Sequence, residues 1–150
     1  MKLLARSLML SLSCLVVPLQ AQTGAAADAA SAAAREPGAV VTASGLVYRS
    51  LKEGDGPNPA RSDRVRVHYR GTFPDGREFD SSYARNRPAE FPLDGVIPCW
   101  TEGLQRMKVG GKARLTCPAS IAYGERGAGG VIPPNATLHF QVELLGIVGR

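Results

Sequence analysis

The sequence predicts an α+β fold, a curled antiparallel β-sheet of about five strands wrapped around one short α-helix. Three observations carry the expectation. Residues 64–73 and 112–117 alternate apolar and polar side chains with period two, as strands with one wet face do. Trp100, Leu104 and Met107 recur at i, i+4 and i+7, the spacing that lines one face of a helix. Glycine and proline gather between these segments, where turns belong. At 150 residues the chain holds one globular domain with extensions.

Taken in order, Lys2 and Arg6 precede an apolar run from Leu8 to Leu19, and Leu19-Gln20-Ala21 forms a small-residue cleavage site. This is the layout of a secretory signal peptide over residues 1–21, too short to span a bilayer. Cys14 raises lipidation as an alternative. Ser11-Leu12-Ser13 is a poor lipobox, however, and apolar residues continue past the cysteine, so cleavage near Ala21 is the favoured reading. The implied home is an oxidising compartment, most simply a bacterial periplasm. Residues 22–39 are alanine-rich with no evident apolar face, which reads as a tether or frayed helix, a linker.

The globular domain is expected over residues 40–150. Gly45 to Lys52 makes a first strand, ended by Glu53-Gly54-Asp55-Gly56-Pro57. In the next, Val65, Val67, Tyr69, Gly71 and Phe73 share the inner face. Pro74-Asp75-Gly76 turns the chain, and Arg77 to Ser81 returns. Ser82 to Leu93, with Pro88 and Pro92, reads as a loop or irregular edge. Pro98 opens the helix and Gly110-Gly111 stops the segment after Lys108. Lys112 to Cys117 alternates again, Pro118 to Asn135 is an extended flap, and Leu138, Phe140, Val142 and Leu144 form a last inward face. So short a helix needs the sheet around it to be stable. Trp100, the only tryptophan, is then expected to floor a pocket between helix and sheet. Spacing alone leaves two readings of the inward aromatics, core or pocket wall.

The net charge is +5 and the pI about 9.4, but the basic residues are spread along strands with acids between them. That pattern is a solvated basic face, and nucleic acid is not expected as a partner. His68 is expected to face solvent beside arginines, and His139 to alternate out of the last strand. Ser81-Ser82 has no histidine partner that the sequence suggests, so hydrolase chemistry is not expected.

Several ordered motifs resemble a known family. They are Val67-His68-Tyr69-Arg70-Gly71, Asp75 to Ser82, Val96-Ile97-Pro98 leading to Trp100, Gly110 to Ala113, Ile121-Ala122-Tyr123-Gly124, and Ile132 to Leu138. Together they look like the FKBP family of macrolide-binding peptidyl-prolyl cis-trans isomerases. The resemblance implies an FKBP-like fold and a pocket in which Asp80, Tyr123, Phe79 and Trp100 are catalytic. Tyr69, Val96, Ile97, Ile132 and Phe140 would bind substrate. It also implies that Asp80 bonds Tyr69 and pairs with Arg85, and that the Tyr123 hydroxyl and Ile97 N–H hold the substrate backbone. No cofactor and no metal are implied. The partners implied are proline-containing unfolded or partly folded polypeptides, and macrolides such as tacrolimus. Ala89 stands where many members carry an aromatic, two residues before Phe91, which thins one wall. The flap is short, leaving no room for the chaperone domain that some relatives insert there, and no dimerisation segment is visible, so a monomer is expected.

Cys99 and Cys117 are the two thiols left once the leader is removed. An even count in a secreted chain suggests a bridge. Two small buried hydrophobes is the other reading. Two functions compete on the same pocket, an isomerase and a binding module that holds proline-containing segments without turnover.

Overall fold

The chain's longest inner strands set its shape. In the computed structural model, which describes residues 20–150, β3 (Arg64–Thr72) buries Val65, Val67, Tyr69 and Gly71 and exposes arginines between them. It lies between β7 (Leu138–Ile147) on one side and β4 (Glu78–Ser81) and β5 (Ala89–Pro92) on the other. Beyond β7 follow β6 (Lys112–Cys117), β2 (Val47–Lys52) and β1 (Ala39–Val41), every pairing antiparallel. The sheet is seven-stranded. The two strands beyond the expected five are β1 and β5. The prolines that made β5 read as a loop do it no harm, because Pro92 ends an edge strand where an absent N–H is tolerated.

The short helix α2 spans Pro98–Gln105 and buries Cys99, Trp100, Thr101, Gly103 and Leu104 against the sheet. It stops before Met107, which lies past its end but still in the core at 2% exposure. Cys99 and Cys117 are joined by a disulfide, their Cα atoms 5.8 Å apart. Closing so short a loop contributes roughly 3 kcal/mol in the chain-entropy view.

The alanine-rich stretch is a helix, α1 (Gln20–Ala34), and it does have a face to bury. Ala26, Ala29, Ala30, Ala33 and Ala34 turn inward at helical spacing, with Ala33 buried. Small side chains let the helix lie close, and the Thr137 hydroxyl donates to the Ala26 carbonyl at 3.2 Å. Glu36, just past α1, pairs with Arg49 on β2 and Arg114 on β6. The sequence pattern hid this face because alanine scores as neither polar nor strongly apolar. The signal-peptide reading and Cys14 fall on residues outside those described, apart from Gln20 and Ala21, which begin α1.

His68 does not face solvent as expected, whereas His139 keeps its expected face of the strand and is nonetheless buried. His68 is half-buried, with Nδ1 2.8 Å from the Ser82 hydroxyl and its ring stacked on Tyr83 at 4.6 Å. His139 does alternate out of β7, but α1 packs over β6 there and leaves it buried, bonded to Thr116 at 2.9 Å. Burial, with help from Arg114 and against the pull of Glu36, pushes the His139 imidazolium pKa down. The folded state therefore prefers neutral imidazole, whereas the unfolded chain takes up a proton near pH 6.5. Stability from this site is present above that pH and is lost as pH falls through the folded value. His139→Gln, which keeps a partner for Thr116, is expected to lose less melting temperature between pH 7 and pH 5 than the natural chain. Thermal melts at the two pH values check this, and equal losses would remove His139 from the account.

Candidate active site

The inner face of the sheet and the N-terminal turn of α2 leave a hollow of about 330 Å³ between them. Each wall traces to a local rule. Tyr69 points in because β3 alternates; Phe79 and Asp80 come from β4, and Phe140 from β7, where it faces Gly71 across the ladder. Val96 and Ile97 enter from the loop before α2, Trp100 from its first turn and Tyr123 from the loop after β6. Pro98 starts the helix with no N–H to satisfy, and among the described residues the Ile97 N–H at the cap makes no intramolecular hydrogen bond.

The indole of Trp100 is the hub. Tyr69, Phe91 and Phe140 meet it edge to face, with centroids 5.2, 5.5 and 5.4 Å away. Phe79 stands edge-on to Phe140 at 5.6 Å, continuing the wall. Such T-shaped pairs each add about 0.5–1.5 kcal/mol beyond the area they bury. The indole is only 4% exposed, yet it lines the hollow, so its neighbours grip it from the sides and leave the floor open. Its Nε1 is buried and, among the described residues, has no hydrogen-bond partner in the protein.

One wall is polar. The Asp80 carboxylate accepts from the Tyr69 hydroxyl and from Arg85, and Arg85 also donates to the Tyr69 oxygen at 3.0 Å. Burial pushes the Asp80 carboxyl up, but the Tyr69 and Arg85 hydrogen bonds outweigh it and hold the group below the ordinary carboxylate range. Burial and the Asp80 charge raise both Tyr69 and Tyr123, so each phenol keeps its proton at neutral pH. Tyr123 is 40% exposed at the rim, placed to donate to a bound chain. The arrangement offers a rigid aromatic slot, a fixed negative charge on one side and hydrogen-bond donors at the edge. An apolar cavity of ~150 Å³ already accepts a benzene ring, so a pyrrolidine ring with its amide fits here.

Of the residues expected at the site, Asp80, Tyr123, Phe79, Trp100, Tyr69, Val96, Ile97 and Phe140 line this hollow. Ile132 does not. It is buried in the core and borders a separate hollow between the flap and the β3–β4 turn, because the Ala128–Ile132 bridge folds the flap back on itself. Phe91 and Gly95 line the site and were not anticipated. The alternation of Ala89, Glu90 and Phe91 could have signalled the former had the stretch been read as a strand. Ala89 lies outside the lining, and Phe91 supplies that wall. Ser82 does meet a histidine, contrary to the sequence reading, but its hydroxyl is wholly buried and held by the Tyr69 backbone N–H at 2.8 Å. Ser82 is thus placed to brace β3 and not to meet a substrate. Among the described residues no cluster of side chains could hold a metal ion.

Comparison with known proteins points the same way. The chain is 57% identical over 115 residues to the FKBP-type 22 kDa peptidyl-prolyl cis-trans isomerase of Escherichia coli, covering 77% of this chain and 56% of that one. It is 53% identical over 114 residues to the FKBP-type isomerase FkpA of the same organism, covering 76% and 42%. The chain thus spans about half the length of these curated relatives. A crystal structure of a peptidyl-prolyl cis-trans isomerase from Pseudomonas syringae pv. tomato superposes with a TM-score of 0.80 at 39% identity, covering 87% of this chain and 96% of that one. Residues 56–145, which contain the whole described lining of the hollow, match the FKBP-type peptidyl-prolyl cis-trans isomerase family, and the chain belongs to that family.

Proposed function

We propose that this chain accelerates cis–trans isomerisation of X-Pro bonds while exported proteins fold, by desolvation and stabilisation of the twisted amide. The observation that carries the reading is the open aromatic hollow over Trp100 with Tyr123 and the Ile97 N–H at its edge. Rotating an amide costs ~18–20 kcal/mol because resonance is lost. Uncatalysed X-Pro isomerisation takes on the order of 10–100 s, and reaching about 1 ms from about 10 s needs ~5.5 kcal/mol off the barrier. No covalent bond to the protein is required. The planar amide is the more charge-separated and better hydrated form, so a dry slot disfavours it relative to the twisted one. Phe79, Trp100, Tyr69 and Phe140 exclude water around the proline ring, and Val96 extends the apolar edge. The Ile97 N–H and the Tyr123 hydroxyl hold the flanking backbone, and Asp80, fixed by Tyr69 and Arg85, faces the rotating amide.

Proline-containing unfolded chains are the proposed substrates, and macrolides such as tacrolimus proposed occupants of the same slot. The basic, apolar N-terminal run and the disulfide support a periplasmic home. A binding module that holds proline-containing segments without turnover is the competing function. A protease-coupled assay on a short Xaa-Pro peptide, with the chain lacking its first 21 residues, separates the two. Turnover well above background is expected. Peptide binding with background turnover would favour the binding module. Half-buried Phe79 offers the cleanest variant: Phe79→Ala is expected to lower kcat/KM about tenfold while the melting temperature falls only a few degrees. An unchanged rate would take Phe79 out of the mechanism.

A further inference from the structure

We propose that the Cys99–Cys117 disulfide is a positioning device for this pocket, setting the gap between the two segments that grip the substrate backbone. The inference rests on the isomerase reading above. Helix α2 has eight residues, no side-chain cap and no acidic residue in its first turn, so it holds its place by tertiary contact. That contact follows one line. Residues 99 and 103 lie one turn apart on the helix, and residues 117 and 115 share one face of β6. At the second crossing the approach is close, because a Cβ on Gly103 would sit 2.8 Å from both methyls of Leu115 and force that side chain to move. At the first crossing the contact is covalent, and both cysteines are at 0% exposure.

Each end of the bridge adjoins a working part of the pocket. Trp100 is the next residue after Cys99, and the Ile97 N–H lies two before it. Cys117 ends β6, and the chain then runs through Pro118 and a single 3-10 turn over Ala119–Ile121 to reach Tyr123. The bridge is therefore the shortest covalent path between the indole floor and the Tyr123 rim. Without it, the linkage runs through the whole of α2, the Gly110-Gly111 turn and β6. A drift of about 1 Å between reacting groups and their holders can cost on the order of 10²-fold in rate, so a fixed gap bears on turnover and not on stability alone.

The test compares three forms of the protein: oxidised, dithiol after refolding in a phosphine reductant, and Cys99→Ala/Cys117→Ala. Isomerisation of an Xaa-Pro peptide is followed by NMR exchange, without protease, at a temperature far below unfolding. Amide hydrogen exchange at Trp100 and Thr101, whose N–H groups both donate to the Ile97 carbonyl, is read against amides in the centre of β3. Both unbridged forms are expected to show about tenfold lower kcat/KM, and an acceleration of exchange over the oxidised form at Trp100 and Thr101 that exceeds any at β3. Rates within about twofold of the oxidised form, with only the melting temperature lowered, would overturn the proposal and leave a simple staple. Failure of both unbridged forms to fold would also overturn it, making the bridge a folding requirement. An oxidised protein without turnover would instead refute the isomerase reading, and the exchange comparison would still decide whether the bridge holds the floor in place.

Discussion

Trp100→Leu is expected to lower kcat/KM by about thirtyfold, the largest loss from any single site residue, since about 2 kcal/mol of differential stabilisation corresponds to that factor. Leucine keeps the helix and most of the apolar volume but lacks the flat floor. Three edge-to-face contacts disappear together, to Tyr69, Phe91 and Phe140. These rings form the walls, so each gains freedom when the hub goes, and water gains entry to a slot that the proposed mechanism requires to exclude it. The domain also loses stability, because a large buried side chain is truncated. Folded protein is therefore required for the comparison, confirmed by far-UV circular dichroism at the assay temperature. On the proposed mechanism the rate loss should lie in kcat more than in KM, because the floor would act on the twisted amide more than on the planar one. A variant with a raised KM and intact kcat would show that Trp100 only binds the ring.

How far the sequence reaches can be judged from particular residues. β3, β6 and β7 were legible because period-two alternation is written into them, and Trp100 was legible as the lone indole on a short amphipathic turn. β5 was not, because two prolines mask an edge strand whose pairing with β3 is settled only by the folded sheet. The docked face of α1 escaped for a different reason: an alanine stripe carries almost no hydrophobic contrast, and its docking depends on Thr137 and Glu36, far apart in the chain. The Ser82–His68 contact joins β3 to the residue just past β4 through a register no spacing rule predicts. Ile132 shows the opposite failure. Its motif is easy to see, yet Ile132 pairs with Ala128 within the flap and lines a different hollow. Alternation and periodicity thus fix which face a residue occupies, while close approach between rings is decided by tertiary packing.

Gly71 is where that packing is tightest, and Gly71→Ala is expected to damage the site nearly as much as losing the indole. The sequence offers Gly71 as an ordinary inward position of β3, between Tyr69 and Phe73. In the fold it is the gap into which two rings fit. An added Cβ would lie 2.5 and 2.7 Å from ring carbons of Phe79 and 3.0 Å from a carbon of Phe140. The two rings cannot both keep their places. Phe140 is 4% exposed and braced by Trp100 and by its ladder pairs with Gly71 and Leu115, so the half-buried Phe79 must yield. Its retreat breaks the T-shaped contact with Phe140 and disturbs Asp80, the next residue, whose carboxylate holds Tyr69 and Arg85. Overpacking of this kind costs about 1–3 kcal/mol in stability. A ring shift of about 1 Å at the slot predicts a loss of ~10-fold or more in kcat/KM. Pairing the change with Phe79→Ala separates the two effects, since the clash requires the Phe79 ring. The double variant should recover much of the stability lost by Gly71→Ala while its kcat/KM stays near that of Phe79→Ala alone. Additive losses in both quantities would mean that Gly71 acts through β3 itself and not through the ring it accommodates.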